Sequence, residues 1–344
     1  MDKTRFLYPF DAKHPQIDLT RFYEWYYNIL LNLQHYQNTQ NVFLCFHLDN
    51  KKYLLKKYSK IHMDDWQRGK AEFKALNYLW NKEFKQIPQP IKFDENEGIG
   101  IYSYEQGRTL RIEEVDKEEI SKIVDFLVKL HNLDNNDKEF FSPASSACLC
   151  LQDYIDVIEK RVNTLIEFEP KEEIEEKAKR FLDEKVLPKI EQTKKEFFKL
   201  VQERNLDLKK PLDISEQVLT PADFGFHNVL VDKEEYKFLD FEYFGRDDPA
   251  RQILDFIYHA KTLELSEELK KYFFELYLEK RNLSDDFRKR LQLLSPLIAI
   301  TWVLICLNIL SKKQLEHIRF AHGDIKNIIE ERLKNAEKML EEIR

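Results

Sequence analysis

The tightest constraint on the fold lies between Leu219 and Asp255, in the string LTPADFGFHNVLVDKEEYKFLDFEYFGRDDPARQILD. Asp223 precedes Asn228 by five positions, and two short apolar runs follow, Val229-Leu230-Val231 and Tyr236-Lys237-Phe238-Leu239. The polar stretch Asp232-Lys233-Glu234-Glu235 between them predicts a hairpin. Its second strand then delivers Asp240 beside Asn228. A loop built this way aims its first carboxylate in one direction and returns its last amide toward Asp240. Asp and Asn are also common in ordinary turns, where their side chains bond local backbone. The spacing and the strand that follows therefore carry the signal, not the residue types alone.

An Asp, an Asn five residues on and an Asp on the next strand form the working set of phosphoryl transfer: the first accepts the proton of an attacking hydroxyl, and the others hold Mg²⁺ against the phosphates. Asp223-Phe224-Gly225 spells the metal motif of protein kinases, but no Asp-x-x-x-x-Asn loop stands shortly upstream. Asp240-Phe241-Glu242 is the better metal segment. His322-Gly323-Asp324 imitates a catalytic loop yet has Ile329 at the Asn position, so Asp324 reads as an N-cap.

Such a site needs a lysine on an early strand and a glutamate on the next helix. Val42–Leu48 and Lys52–Tyr58 flank Asp49-Asn50 as a second hairpin. Alternation puts Lys56 and Lys57 on opposite faces, one inward and one toward solvent. Lys56 is taken as the phosphate lysine, with Lys57 the alternate. Asp64 or Asp65 is expected to cap a helix carrying Ala71, Phe73, Leu76, Leu79 and Trp80, with Glu72 within it. Ile99–Tyr104 reads as a strand running into Glu105-Gln106-Gly107, where a glycine permits a sharp turn and exposed backbone suits an adenine edge.

From about Asn41 to about Trp302, this order of parts resembles the aminoglycoside phosphotransferase and choline kinase-like small-molecule kinases, relatives of protein kinases. The resemblance implies an α+β, two-lobed protein-kinase-like fold, with an antiparallel sheet in the small lobe and a large, mainly helical lobe. Residues 1–104 would form the nucleotide-binding lobe with an added N-terminal helix over Leu19–Leu33, residues 105–108 the hinge, and residues 109–344 the catalytic and substrate lobe. Asp223 is then the catalytic base, Asn228 and Asp240 hold Mg²⁺, Lys56 grips the phosphates and Glu72 pairs with it. Asp247-Asp248-Pro249-Ala250-Arg251 and Asp255 are similar to a segment that braces the catalytic loop. Two departures stand out: Pro221-Ala222 replaces the family's usual His-Gly, and Gln34–Asn41 contains no glycine. Thr39, Gln40 and Asn41 are expected to donate hydrogen bonds to phosphates in place of a glycine-rich turn. With Glu105 and Gly107 at the hinge, these complete the nucleotide-binding set.

The expected activity is transfer of the γ-phosphoryl group of ATP, with GTP as the alternative, to a hydroxyl of a sugar, amino sugar, amino alcohol or aminoglycoside. Glu242, Tyr243, Arg246 and Asp247 are near enough in sequence to approach the acceptor. The competing reading is a catalytically weak or inactive kinase-like nucleotide-binding module, favoured by the two departures. No Gly-x-x-x-x-Gly-Lys-Ser/Thr string occurs, and Gly98-Ile99-Gly100 lacks the third glycine of a dinucleotide fingerprint. A net charge of −7 removes the electrostatic case for nucleic acid. Leu291–Leu310 is uncharged and long enough to span a bilayer, but Gln292, Ser295, Pro296, Thr301 and Asn308 dilute it. A buried core helix is expected there. The four cysteines show no metal-ligand spacing, and an N-terminus without an apolar core predicts a cytoplasmic location.

Overall fold

The computed structural model describes residues 41–48, 50–58, 67–311, 314–315 and 325–343. The expected helix over Leu19–Leu33, Thr39 and Gln40, Asp64 and Asp65, and His322–Asp324 all lie outside the described residues. The chain divides into two compact units, one reaching to Leu110 and including Asn228–Phe244, the other holding Arg111–His227 and everything from Gly245 onward. The division falls beyond the 105–108 stretch read as a hinge. It also places the Val229–Phe238 hairpin with the first unit, not with the helical remainder.

In the first unit, β1 (Val42–Leu48) and β2 (Lys51–Lys57) form the expected hairpin. Asn50 turns it at φ +58°, a left-handed conformation that Asn tolerates better than most residues. With β3 (Pro90–Asp94) and β4 (Ile99–Ser103) they make an antiparallel sheet ordered β1-β2-β4-β3. Lys56 stands opposite Phe43 on one side and Gly100 on the other. Lys57 does not face solvent as alternation suggested. It is 8% exposed and Lys56 on the opposite face 5%, so both faces of β2 are covered at this end. Helix α1 (Arg68–Asn81) starts at Gln67 without a side-chain cap and buries Glu72, Phe73, Ala75, Leu76 and Leu79. That stripe follows the helical period and packs on β3 and β4.

A smaller sheet joins β5 (Arg108–Thr109), β7 (Val229–Asp232) and β8 (Glu235–Phe238). Asp232 pairs with Glu235, so the turn is the two residues Lys233-Glu234, with Lys233 at φ +56°. This tightness sets the register that carries the chain to Asp240. The backbone N–H of Phe238 donates to the Gln86 carbonyl at 2.8 Å, tying the hairpin to the segment after α1.

The second unit is mainly helical: α2 (Lys117–His131), α3 (Asn135–Glu139), α4 (Leu151–Ile166), α5 (Glu173–Phe181), α6 (Leu187–Glu203), α7 (Pro249–Tyr258), α8 (Glu267–Arg281), α9 (Asp285–Leu307) and α10 (Lys326–Glu342). Helix α9 packs against α4, α6, α7 and α10. Its apolar window is 78% buried inside the structure, as expected of a core helix that is hydrophobic all round. Strands β6 (Val218–Thr220) and β9 (Gly245–Asp247) pair with each other on either side of the signature segment. A Cβ on Gly245 would sit 2.4 Å from the Ala144 nitrogen, so only glycine lets β9 approach this closely. Asp248 caps α7 by accepting from the Ala250 N–H at 2.8 Å, with Pro249 as the first helical residue, as the Asp-Pro pair predicts.

Gly107 sits at φ +141°, and a Cβ there would lie 3.0 Å from the Val231 carbonyl oxygen. Both the backbone conformation and the contact with β7 require glycine. Gly107→Ala should lower the free energy of unfolding by about 1–3 kcal/mol, measured by urea titration. An unchanged midpoint would show that the β5–β7 contact contributes nothing.

Candidate functional site

Strand β2, helix α1 and the residues after β8 bring four charged side chains of the first unit together. Lys56 Nζ lies 2.8 Å from Glu72 Oε2, 3.1 Å from Asp240 Oδ1 and 3.3 Å from Glu242 Oε2. Glu72 is fixed further by the Tyr58 hydroxyl and by the Phe241 backbone N–H at 3.3 Å. It is therefore a buried structural partner, not a solvated helix glutamate. Glu242 accepts from Arg68 Nη1 at 3.1 Å and from Asn41 Nδ2 at 3.0 Å. Asp240 follows β8 in a left-handed conformation, φ +63°, which turns its carboxylate toward Lys56. The Leu239 N–H donates to the Asn228 carbonyl at 2.8 Å, so Asn228 and Asp240 are brought level by the hairpin.

Electrostatics bind this cluster. Burial alone would lower the Lys56 pKa, but Glu72, Asp240 and Glu242 outweigh it and hold the ammonium firmly protonated. Burial, with Glu72 and Glu242 nearby, pushes Asp240 up to about 6 against the pull of Lys56. Among the described residues, three carboxylates face two cations, Lys56 and Arg68. With every group ionised that leaves one negative charge. A surplus of hard oxygen donors suits a divalent cation such as Mg²⁺, and Asp240, with a third of its side chain exposed, has the reach to hold one. Glu242 was missed as a member of this group. Its two-residue offset from Asp240 was legible, but its partners Lys56, Arg68 and Asn41 are far away in the chain.

The strand-end residues have local partners. Glu105 accepts from the Ser103 hydroxyl and pairs with Lys237 at 3.3 Å. Among residues read as near the acceptor, Glu242 and Asp247 are buried, and Arg246 is engaged with the Phe141 carbonyl and Gln217. Each is held by its own unit's packing.

A second centre forms in the helical unit around Asp223. His227 Nε2 lies 3.0 Å from Asp223 Oδ1, and His259 Nε2 lies 3.4 Å from the same oxygen. The two imidazoles stack with centroids 4.3 Å apart. Burial would raise the Asp223 pKa, but the His227 and His259 contacts outweigh it and hold the carboxyl well below its usual range. Burial also lowers the pKa of His259 despite Asp223 beside it, which keeps the ring neutral. Gly225 now has a reason unrelated to any metal motif, since a Cβ there would sit 2.9 Å from His227 Nδ1.

These three donors stand close enough together to suggest a metal site, but the tautomer opposes that. The Lys261 N–H donates to His259 Nδ1 at 2.9 Å, so the neutral ring carries its proton on Nε2, toward Asp223. A metal on Nε2 would force Nδ1 to be protonated against the Lys261 N–H. Behind His259, Trp302 packs at 4.3 Å between ring centroids and donates through Nε1 to Asp255 at 2.8 Å. Arg251 joins Asp255 at 3.3 Å and Asp247 at 3.4 Å, and Asp247 accepts the Cys148 N–H. Among the bracing residues the sequence suggested, Asp247, Arg251 and Asp255 thus form one buried network.

A profile of the phosphotransferase enzyme family, APH, matches residues 39–292. The chain belongs to that family. Phosphotransfer as its class of chemistry follows from this membership. Similar solved structures include a Plasmodium vivax ethanolamine kinase, 16% identical, with 95% of this chain and 90% of that one covered at a TM-score of 0.57. A choline kinase from Streptococcus pneumoniae is 16% identical over 92% of this chain and 98% of its own, TM-score 0.56. A spectinomycin phosphotransferase solved with ADP and spectinomycin is 16% identical over 87% and 90%, TM-score 0.55. These likenesses establish the fold of small-molecule kinases. No curated protein matches the chain.

In metal-free protein, Asp240 titrates near 6 against an ordinary 3.8. A raised carboxyl pKa contributes stability that is present below the ordinary value and lost as pH rises through the folded one. Asp240→Asn should therefore be more stable than the native chain above pH 6, by about 1–2 kcal/mol once partial exposure is discounted. The difference should close below about pH 4. Urea melts in chelator across that range test it; a gap independent of pH would show that Asp240 does not titrate as described.

Proposed function

We propose that this family member transfers the γ-phosphoryl group of ATP to a hydroxyl of a small molecule. The observation that carries the reading is the bonding of Lys56 to both Glu72 and Asp240, the pairing that phosphoryl-transfer sites of this fold use to hold nucleotide phosphates. Lys56, already oriented by Glu72, offers a fixed positive charge to phosphate oxygens. Asp240 and Asn228 would hold Mg²⁺, which when bound neutralises charge on the phosphates. Asn41, which donates to Glu242, and Thr39 are the polar candidates for the phosphate turn. Glu105 and Gly107 are candidates for the base end.

Asp223 receives the acceptor. A carboxyl this acidic is a poor base toward a free alcohol, so it orients the hydroxyl first and takes its proton late. As the acceptor oxygen bonds to the γ-phosphorus, the bond from that phosphorus to the bridging oxygen breaks, and its electron pair remains on ADP. The hydroxyl proton passes to Asp223. Positioning and electrostatics supply most of the rate in such a mechanism. The similarly folded enzymes act on ethanolamine, choline and spectinomycin, which supports a small alcohol-bearing acceptor.

Calorimetric titration with a non-hydrolysable ATP analogue should show Mg²⁺-dependent binding that Asp240→Ala abolishes. Binding unaltered in that variant would overturn the metal assignment, and no binding to ATP or GTP analogues would point to an inactive module. With an acceptor found among sugars, amino alcohols and aminoglycosides, Asp223→Asn should lower kcat by roughly 10²–10⁴. Comparable turnover would remove Asp223 from the chemistry.

A further inference from the structure

His259 lies at the end of α7, thirty-six residues beyond Asp223, in no motif that the sequence offers. Three features define its ring. Its Nδ1 accepts the Lys261 N–H at 2.9 Å, so its Nε2 carries the proton. Its faces and edge are confined by His227, stacked at 4.3 Å, and by Trp302, at 4.3 Å and 64°. Its Nε2 sits 3.4 Å from Asp223 Oδ1, at the outer edge of hydrogen-bond reach, while His227 Nε2 takes the same oxygen at 3.0 Å. Trp302 is itself held by Asp255, and Asp255 by Arg251. The ring thus has a fixed tautomer and a fixed plane, and both point at one carboxylate oxygen.

We propose that His259 is a positioning residue for Asp223, with the Lys261 N–H setting its tautomer and Trp302 setting its plane. Both imidazoles face one oxygen of the carboxylate, Oδ1, His227 at 3.0 Å and His259 at 3.4 Å. The arrangement does for Asp223 what an orienting third group does for a general base in a triad. It also gives a function to the Asp255–Trp302 pair, which otherwise reads as core packing.

This inference rests on the proposed phosphoryl transfer for its kinetic consequence, but not for its geometry, so the two are tested separately. Long-range ¹H–¹⁵N correlation of the imidazoles in the full, metal-free chain at pH 7.5 reports the tautomer directly, with the His259 signal assigned by its loss in His259→Gln. His259 should appear with its proton on Nε2, and a proton on Nδ1 overturns the proposal. In steady-state assays with Mg·ATP and the acceptor found above, or water where none is found, His259→Ala should lower kcat by about 10–100-fold. A displacement of about 1 Å at a catalytic group has that order of effect. KM for Mg·ATP should stay within about twofold. His259→Gln, whose amide nitrogen can stand where Nε2 stood, should recover most of the loss. Undiminished kcat in His259→Ala, or no recovery in a folded His259→Gln, refutes the positioning role. The Nε2–H tautomer without any turnover would instead refute the proposed reaction and leave the carboxylate clamp in place.

Discussion

A buried ammonium among carboxylates is the interaction on which the first unit depends. Lys56 is 5% exposed and Glu72 equally so, and neither charge would be tolerable there without the other. The sheet must present Lys56 inward, α1 must present Glu72 at the matching height, and the β7–β8 hairpin must return to supply Asp240 and Glu242. These demands fix the register of β2, the rotation of α1 and the length of a turn more than a hundred residues later in the chain. Hydrophobic packing around Leu55, Phe73 and Leu76 supplies the driving force. The ion cluster decides which packing is acceptable.

The helical unit solves a related problem with different chemistry. Asp223 stands at the end of a loop whose root, Thr220, is pinned by the β6–β9 pair and by a hydrogen bond to Gln252. Two imidazoles, those of His227 and His259, face the same carboxylate oxygen and hold Asp223 well below its usual range.

Much of both centres was legible in the chain. The five-residue gap from Asp223 to Asn228 and the hairpin leading to Asp240 are local, set by turn chemistry and strand period, and the structure reproduces them. Lys56 and Glu72 were readable because one lies on a strong hairpin and the other on an amphipathic helix. What local pattern got wrong was exposure. Lys57 looked solvent-facing because alternation assumes a sheet with one wet face, yet both faces of β2 are covered around Lys56 and Lys57. The cap expected from Asp64 or Asp65 lies outside the described residues.

By itself, the sequence determined the order of parts, the strand and helix periods, and the residue types able to carry phosphotransfer, since these depend on contacts within a few positions along the chain. Only the tertiary structure decided that Glu242 completes the lysine cluster, that Gly225 makes room for an imidazole, and that His259 and Trp302 stand behind Asp223. Those partners meet through packing of elements far apart in sequence. Nothing in a linear pattern encodes the direction in which a distant side chain will point.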